Sequence, residues 1–304
     1  DQGQAVQWLM EAAQRRLPHL PDLAAGIFLQ NGARFYVDCG RHPEMTTPEC
    51  PNPWDAARYV RAGERLLLQL AEDMPQRQPA IGDVAFHRHN VDYSGAQSTW
   101  GSHESYLHCT DPSQFAQELL PHLVSRLIYT GAGGFDSLYP GIRFLLSPRV
   151  SHLQAEISAD STHTRGILHT KDETLSSHGF HRLHLLCSES LFSELAIFLR
   201  VGVTAVLVAM IEAGLRPTQG LRLSEPLQAM RAFALDPRCR ATAGSQSDGV
   251  LSALAIQRQY LCRAEAALKH PHLPPWAGEV CRQWRAVLDT LELNPAKYIP
   301  GSTL

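Results

Sequence analysis

Residues 31–49 read NGARFYVDCGRHPEMTTPE, and this stretch decides the fold of the 304-residue chain. Its leading Asn-Gly pair is a strong tight-turn signal, and the alternation that follows predicts a half-buried β-strand. The outer face carries Arg34, Tyr36 and Asp38, which stand about 6 to 7 Å apart because strand side chains repeat every two residues. Such a row can hold a phosphate, a metal ion and an attacking group together.

The other face of the same strand is apolar and carries Ala33, Phe35 and Val37, which are predicted to be buried. The segment after it, interrupted by glycine and proline, is predicted to be a loop that adds a second carboxylate, Glu44, and a hydroxyl, Thr47. An Arg/Tyr/Asp alternation by itself also fits an edge strand that ends in a solvated turn. The residues of this stretch therefore leave both interpretations open.

The rest of the chain predicts strands first and helices later. Periodicity and capping residues predict strands at 26–30, 33–38, 84–91, 152–158 and 182–187, and helices at 4–17, 53–72, from 111–112 onward, and at 191–213, 224–234, 249–269 and 276–292. This order, with few βαβ repeats, predicts an α+β fold. We expect a mainly antiparallel, curved sheet with a polar active-site face, packed by helices, and a helical C-terminal half. No dinucleotide or phosphate-loop motif is present, and GAGG at 131–134 is expected to be a turn.

The composition disfavours several classes of function. Lys and Arg number 27 against 30 Asp and Glu, so the net charge of −3 provides no basic field for a nucleic acid or an anionic membrane. Seven cysteines without a CxxC pair argue against a disulfide framework and favour the reducing cytoplasm. In the apolar segment 195–215, Arg200 and Glu212 leave about ten uninterrupted residues, too few to cross a bilayer. We expect a cytoplasmic protein in which this segment is a core helix.

Five segments together resemble the Pup ligase and depupylase family, whose members attach the prokaryotic ubiquitin-like protein Pup to lysines or remove it. These segments are the stretch at 31–49, NVDYSGAQSTWGSHESYL (90–107), TRGILHTKDET (164–174), HRLHLL (181–186) and LRVGVTAVLVAMIEAG (199–214). The family is related in fold to glutamine synthetase and other carboxylate-amine ligases. The resemblance therefore implies a glutamine synthetase-like catalytic domain that uses ATP and Mg²⁺. Its implied partners are Pup, or a Pup-like modifier, and protein substrates joined through lysine.

The resemblance also implies a role for each residue of the first motif. It puts the catalytic role on Asp38, metal contacts on Tyr36 and Glu44, and nucleotide contacts on Arg34 and Thr47. The chemistry requires these types, because magnesium and a guanidinium neutralise charge on transferring phosphate oxygens. A carboxylate can then accept the proton of the lysine that attacks the acyl phosphate. With water, the same carboxylate can help to cleave the isopeptide bond as base or nucleophile.

Outside the first motif the implied assignments are fewer. His103, in GSHESYL, matches a family histidine that faces the metal cluster, and Arg182 and Arg165 are weaker phosphate candidates. The family's TRDEPHAD segment reads TKDETLSS here, so Lys171 replaces an arginine and loses its planar fork for phosphate. The family's first metal-binding strand, with its paired glutamates, and its small C-terminal domain match no part of this chain. We therefore expect residues 1–304 to form a single catalytic domain.

Four functional alternatives remain open at this point. Five residues separate Asp38 from Glu44, as in the ligase branch, and the 199–214 segment also favours the ligase, whereas RGILHT is closer to the depupylase. A third hypothesis is an inactive paralogue that only binds Pup or a partner. The residues alone also allow a zinc hydrolase that uses His87, His89 and His103, although the sequence lacks a third ligand at motif spacing.

Overall fold

The computed structural model describes residues 2–21, 26–38, 42–72, 74, 81–82, 84–160, 163–170, 179–247 and 249–294. The chain divides into two compact units, Asp1–Arg88 and His89–Leu304. Lys171 lies outside the described residues. The expectation of a single catalytic domain over 1–304 stays a prediction.

The first unit packs a four-stranded antiparallel sheet against two helices. The strands are β1 (His19–Pro21), β2 (Gly26–Leu29), β3 (Arg34–Val37) and β4 (Pro43–Met45), in the spatial order β1-β2-β3-β4, and the helices are α1 (Gln2–Arg16) and α2 (Pro53–Glu72). The core of the unit joins Leu9 of α1, Ile27 and Phe35 of the sheet, and Leu70 of α2. Phe35 is fully buried, so β3 turns its apolar face inward and its polar face away from this core.

Local sequence signals fix the turn of the predicted hairpin and the start of α2. Gly32 adopts φ +88°, a left-handed conformation that glycine tolerates, and the Asn31 side chain accepts the Ala33 N–H at 3.0 Å. Asn52 accepts the Asp55 N–H at 2.9 Å, which caps α2 as predicted. The predicted apolar face is confirmed at Ala33 and Phe35.

The second unit contains a mixed, mainly antiparallel sheet and most of the helices. Its elements are β5 (Glu104–His108), α3 (Ser113–Ser125), α4 (Leu127–Thr130), β6 (Gly134–Phe135), β7 (Phe144–Leu145), a 3₁₀ helix (Pro148–His152), β8 (Ala155–Ser158), β9 (Gly166–His169), β10 (His181–Leu185), α5 (Glu194–Glu212), α6 (Pro226–Leu235), β11 (Thr242–Ser245), β12 (Gly249–Ser252), α7 (Ala253–Ala266) and α8 (Ala277–Leu293). The four-stranded sheet has the order β5-β10-β9-β8, in which only the β8/β9 pair is parallel among the described strands. The predicted α+β class with antiparallel sheets is confirmed.

Four predictions about elements are wrong. The segment after β3 was predicted to be a loop, but its residues Pro43–Met45 form strand β4, because they pair with β3. Residues 84–90 form no strand, and only Val91 makes an isolated bridge to Thr99. The predicted strand at 152–158 begins only at 155, because the preceding residues form a 3₁₀ helix that Pro148 starts. Its Ile157, predicted to face inward, is 45% exposed on the edge strand β8. The helix predicted from 249 begins at 253, after β12 pairs with β11.

The most apolar helix is α5. By length and composition it could cross a membrane, but 72% of its most apolar window is buried inside the protein. Its N-terminus is capped by Ser193, whose hydroxyl accepts the Ala196 N–H at 3.3 Å. The prediction of a buried core helix is confirmed.

The GAGG segment, predicted to be a turn, is the short link between α4 and β6, and its last glycine, Gly134, begins β6. Gly131 lies against the backbone of Leu146 so closely that a Cβ there would stand 2.1 Å from the Leu146 carbonyl oxygen. Gly133, at φ +70°, donates its N–H to that same carbonyl at 2.9 Å. Glycine is required here by backbone packing.

Candidate active site

The polar face of β3 and its neighbour β4 brings together three of the predicted side chains. Tyr36 and Glu44 are directly opposite each other in the β3/β4 register, and the Tyr36 hydroxyl donates a hydrogen bond to the Glu44 carboxylate. The Arg34 guanidinium carbon lies 4.1 Å from the centre of the Tyr36 ring, a cation–π contact. A cation, a phenol and a carboxylate therefore form one contiguous row, all of them half-buried.

The Tyr36 phenol stays protonated in this arrangement. Its burial raises its pKa, the hydrogen bond to Glu44 and the charge of Glu44 raise it further, and Arg34 opposes the shift only in part. A protonated phenol donates to the carboxylate and fixes its orientation.

The fit of this pair to magnesium is partial. Mg²⁺ prefers hard oxygen ligands, and the Glu44 carboxylate, held by Tyr36, is one of them. The phenol oxygen is neutral and turns its proton toward Glu44, so in this geometry Tyr36 supports the carboxylate. Direct metal ligation by Tyr36 stays a prediction.

Asp38 follows β3 directly and is held by His42, just before β4. The His42 backbone N–H donates to Asp38 Oδ1 at 2.6 Å, and His42 Nδ1 lies 3.0 Å from Asp38 Oδ2. No role for His42 was predicted from the sequence. The available signal was its position, four residues after Asp38 and two before Glu44 in a segment rich in turn residues.

Thr47 lies beyond β4 and is half-buried. Its side chain hydrogen-bonds Cys50, and this bond opposes the increase in the pKa of the Cys50 thiol that burial causes. The adjacent Thr46, which was not predicted, joins the site to the sheet: its hydroxyl accepts the Arg34 backbone N–H at 3.0 Å. Thr46 therefore fixes the start of β3.

His103 and Arg182 belong to the second unit and lie on the same face of its sheet. Arg182 Nε donates to Ser105 Oγ at 2.9 Å, and Ser105 is paired with His184 across β5/β10. The His103 and His184 ring centres are 5.3 Å apart, and His169 is 5.1 Å from His184. The predicted polar face therefore exists in this unit, with imidazoles and a guanidinium together. Arg165 directly precedes β9, and its backbone forms an isolated parallel bridge with Asp160.

The opposite face of β5 carries a buried ionic network that sequence analysis did not identify. Both oxygens of the buried Glu104 accept hydrogen bonds from Arg126, at 2.7 and 3.1 Å. The hydroxyls of Ser188 and Tyr106 donate to the same carboxylate. Burial by itself would raise the pKa of Glu104, but the charges of Arg126 and Arg200 outweigh it and lower this pKa to about 2.

The structure does not support the strand-borne HxH chelate on which the zinc hydrolase alternative depends. His87 and His89 lie in a stretch without strand structure, whereas the HxH chelate was predicted on a strand. Across the described part of the chain, no three His, Cys, Asp or Glu side chains are grouped so that they could hold a metal ion.

The family model and the similar proteins of known function all identify the same family. The model of the family described as Pup-ligase protein matches residues 4–299. The chain is 36% identical over 279 residues to the Pup deamidase/depupylase of Mycolicibacterium smegmatis, covering 90% of this chain and 55% of that protein. It is 34% identical over 275 residues to Pup--protein ligase 1 of Rhodococcus erythropolis, covering 88% of this chain and 60% of that protein.

Solved structures agree in fold. The complex between prokaryotic ubiquitin-like protein Pup and its ligase PafA matches with a TM-score of 0.80 and 25% identity, over 97% of this chain and 60% of that one. The Pup ligase PafA in complex with ADP matches with a TM-score of 0.77 and 27% identity, over 91% of this chain and 62% of that one. This chain belongs to the Pup ligase family, and it spans about 55 to 60% of the length of the curated relatives named above.

Proposed function

We propose that this chain carries the catalytic machinery of an ATP- and Mg²⁺-dependent Pup ligase. The enzyme would join the side-chain carboxylate of the C-terminal glutamate of Pup, or of a Pup-like modifier, to a substrate lysine through an acyl phosphate. The observation that carries the proposal is the row on β3 and β4, where Arg34, the Tyr36–Glu44 pair and Asp38 follow one another. Family membership and the ADP-bound relative support the same chemistry.

Each side chain of the row has a distinct task in this mechanism. In the first unit, Arg34 would bind the nucleotide phosphates together with Thr47, and Glu44, oriented by Tyr36, would hold magnesium. In the second unit, Arg182 is a phosphate candidate and His103 is a metal candidate, each proposed by itself. When bound, magnesium neutralises negative charge that builds on the phosphate oxygens. Asp38 would accept the proton of the lysine, so that the neutral amine attacks the acyl carbon, the acyl carbon–oxygen bond breaks and inorganic phosphate leaves.

The second candidate is a depupylase or Pup deamidase that uses the same site. Specific support comes from the relative from Mycolicibacterium smegmatis, which bears that name and is 36% identical. In this reaction water replaces lysine, and Asp38 acts as base or nucleophile toward the isopeptide bond or the glutamine amide. An inactive paralogue that only binds Pup is the third alternative. Under all three functions we expect the protein to be cytoplasmic and to have no nucleic-acid or membrane partner.

A single set of reactions separates these functions. Purified protein is incubated with ATP and MgCl₂ and with one of three substrates: Pup ending in glutamate plus a lysine-bearing protein, Pup ending in glutamine, or a Pup conjugate. Intact mass spectrometry follows the products. New conjugates support the ligase, whereas released Pup or deamidated Pup supports the depupylase.

The matched control is Asp38→Asn, which keeps the size of the side chain and removes its charge. A product that this variant still forms at the normal rate does not come from the proposed site. Absence of every product, together with saturable binding of Pup, would reject both enzymatic functions and support the binding protein. Omitting magnesium or replacing ATP by AMP tests the cofactors separately.

A further inference from the structure

Asp38 and His42 contact each other through three hydrogen bonds. The Asp38 N–H donates to the His42 carbonyl at 3.0 Å, and the His42 N–H donates to Asp38 Oδ1 at 2.6 Å. The His42 ring adds the third, with Nδ1 at 3.0 Å from Asp38 Oδ2. Each oxygen of the carboxylate therefore has one hydrogen bond from the same residue.

We infer that His42 is a positioning residue for Asp38. Its imidazole, with the proton on Nδ1, fixes the plane of the carboxylate in the orientation that accepts a proton from lysine or water. The inference rests on the proposed function of Asp38 and adds a residue to it.

The physical reason is the freedom of an aspartate side chain. Rotation about its terminal bond is broad and roughly two-fold, so one backbone hydrogen bond to Oδ1 leaves the carboxylate plane loosely defined. A second donor on Oδ2 defines it, and a hydrogen bond to an ionised acceptor is stronger than one between neutral groups. A carboxylate oxygen has two lone pairs, so one on each oxygen is left for the reacting proton.

The tautomer follows from the chemistry of the partner. An ionised carboxylate only accepts hydrogen bonds, so the nitrogen that faces it must carry the proton. The Asp38 and His42 side chains are 23% and 32% exposed, which leaves the pair accessible to a substrate. This distinguishes the pair from the buried carboxylate of Glu104, whose two oxygens already accept from three side chains.

Two substitutions of His42 separate positioning from a merely structural role. His42→Asn retains an N–H donor as many bonds from the backbone as Nδ1, whereas the amide of His42→Gln lies one bond farther away. Both variants retain the backbone hydrogen bond to Oδ1. We expect His42→Gln to lower kcat by about 10- to 100-fold, since a hydrogen bond to a charged group is lost. We expect His42→Asn to stay within about 3-fold of the wild type, and the KM for ATP to change by less than about 2-fold in both.

A second readout does not depend on activity. In ¹⁵N-labelled protein in mildly alkaline buffer, long-range ¹H–¹⁵N correlation spectra report which ring nitrogen carries the proton, and the signal of His42 is the one missing from the His42→Asn spectrum. We expect the Nδ1–H tautomer. A His42 signal of the Nε2–H tautomer would overturn the inference, and so would equal kcat values for the Asn and Gln variants.

The two readouts keep this inference distinct from the proposed function. If the wild-type protein forms no product with any Pup substrate, the proposed function fails and the catalytic role of His42 fails with it, whereas the spectrum still reports whether the Nδ1–H bond exists. If the wild type is active and His42→Gln is as active, only the inference fails. Thermal melts of both variants verify that each is folded.

Discussion

Each of the two units contains a tyrosine that donates a hydrogen bond to a glutamate, and the surroundings of the two pairs differ. In the first unit Tyr36 donates to Glu44 on a half-buried face, beside Arg34. In the second unit Tyr106 donates to Glu104 in the interior. The same two residue types therefore occur once at an accessible site and once inside the protein.

The number of donors around each carboxylate explains the difference. Glu104 accepts from Arg126 with both oxygens, and from Ser188 and Tyr106, which fills the capacity of an ionised carboxylate. Among the described residues, the hydrogen bond recorded for the Glu44 side chain is the one from Tyr36. A satisfied, buried carboxylate is structural, whereas a partly satisfied, accessible one can bind a ligand.

The largest effect is expected at the accessible face of the first unit, for a substitution of Asp38, and it is the strongest test of the difference between the two units. Asp38→Asn should lower the rate of ligation or cleavage by about 10²- to 10⁴-fold, the usual contribution of a general base. The melting temperature and nucleotide affinity should stay nearly unchanged, because Asp38 lies outside the core. Steady-state kinetics and calorimetric ATP binding measure the two effects. Retained turnover would refute the role of Asp38.

The opposite result is expected in the interior. Glu104→Gln should destabilise the second unit by about 3 to 5 kcal/mol, because it leaves the Arg126 charge buried without its partner. Hydrogen exchange read by mass spectrometry should show lost protection in β5, α3 and α5 but not in the first unit. The control is Glu292→Gln, which removes an exposed partner of Arg258 and should cost less than about 1 kcal/mol.

The apolar face of β3 provides a test in the first unit. Phe35 is fully buried, so Phe35→Ala should cost about 3 to 5 kcal/mol in the free energy of unfolding. Phe28, on the neighbouring strand, is 42% exposed, and the matched Phe28→Ala should cost clearly less. Urea unfolding of the two variants measures the difference, and similar losses would mean that β3 faces the other way.

Acid should affect the interior carboxylate within a defined pH range. The pKa of Glu104 is lowered from 4.5 to about 2, by Arg126 and Arg200 against the effect of burial. A group with a lowered pKa in the folded state stabilises the fold fully above its unfolded pKa and loses that contribution as the pH falls toward its folded pKa. The stability difference between the wild type and Glu104→Gln should therefore shrink from about pH 4.5 to about pH 2. A constant difference in urea midpoints over that range would contradict it.

The smallest expected effect is on magnesium-dependent ATP affinity, when Glu44 is substituted. Glu44→Gln keeps the hydrogen bond from Tyr36 possible and removes the negative charge, so magnesium-dependent ATP affinity should fall by about 10-fold, the loss of one charged contact. Titration with ATP at several magnesium concentrations measures it. Unchanged affinity at every concentration would place Glu44 outside the metal site.

Local sequence signals were sufficient for much of the fold. Gly32 and Asn31 predicted the hairpin, and Asn52 predicted the start of α2, because each acts through its own backbone or on a neighbour two or three residues away. Local sequence signals gave wrong predictions where the position of neighbouring elements decides whether a side chain is buried. Ile157 has the pattern of an inward residue but is exposed, because β8 has a neighbour on one side only among the described strands.

The sequence by itself determined the alternation of β3, and with it the apolar side and the polar side on which Arg34 and Tyr36 stand, since strand periodicity is a property of the backbone. Tertiary structure decided which polar groups meet. The contact of His42 with Asp38 depends on how β4 returns beside β3, and the Glu104–Arg126 pair joins residues 22 positions apart. Contacts between elements depend on packing, which no local pattern contains.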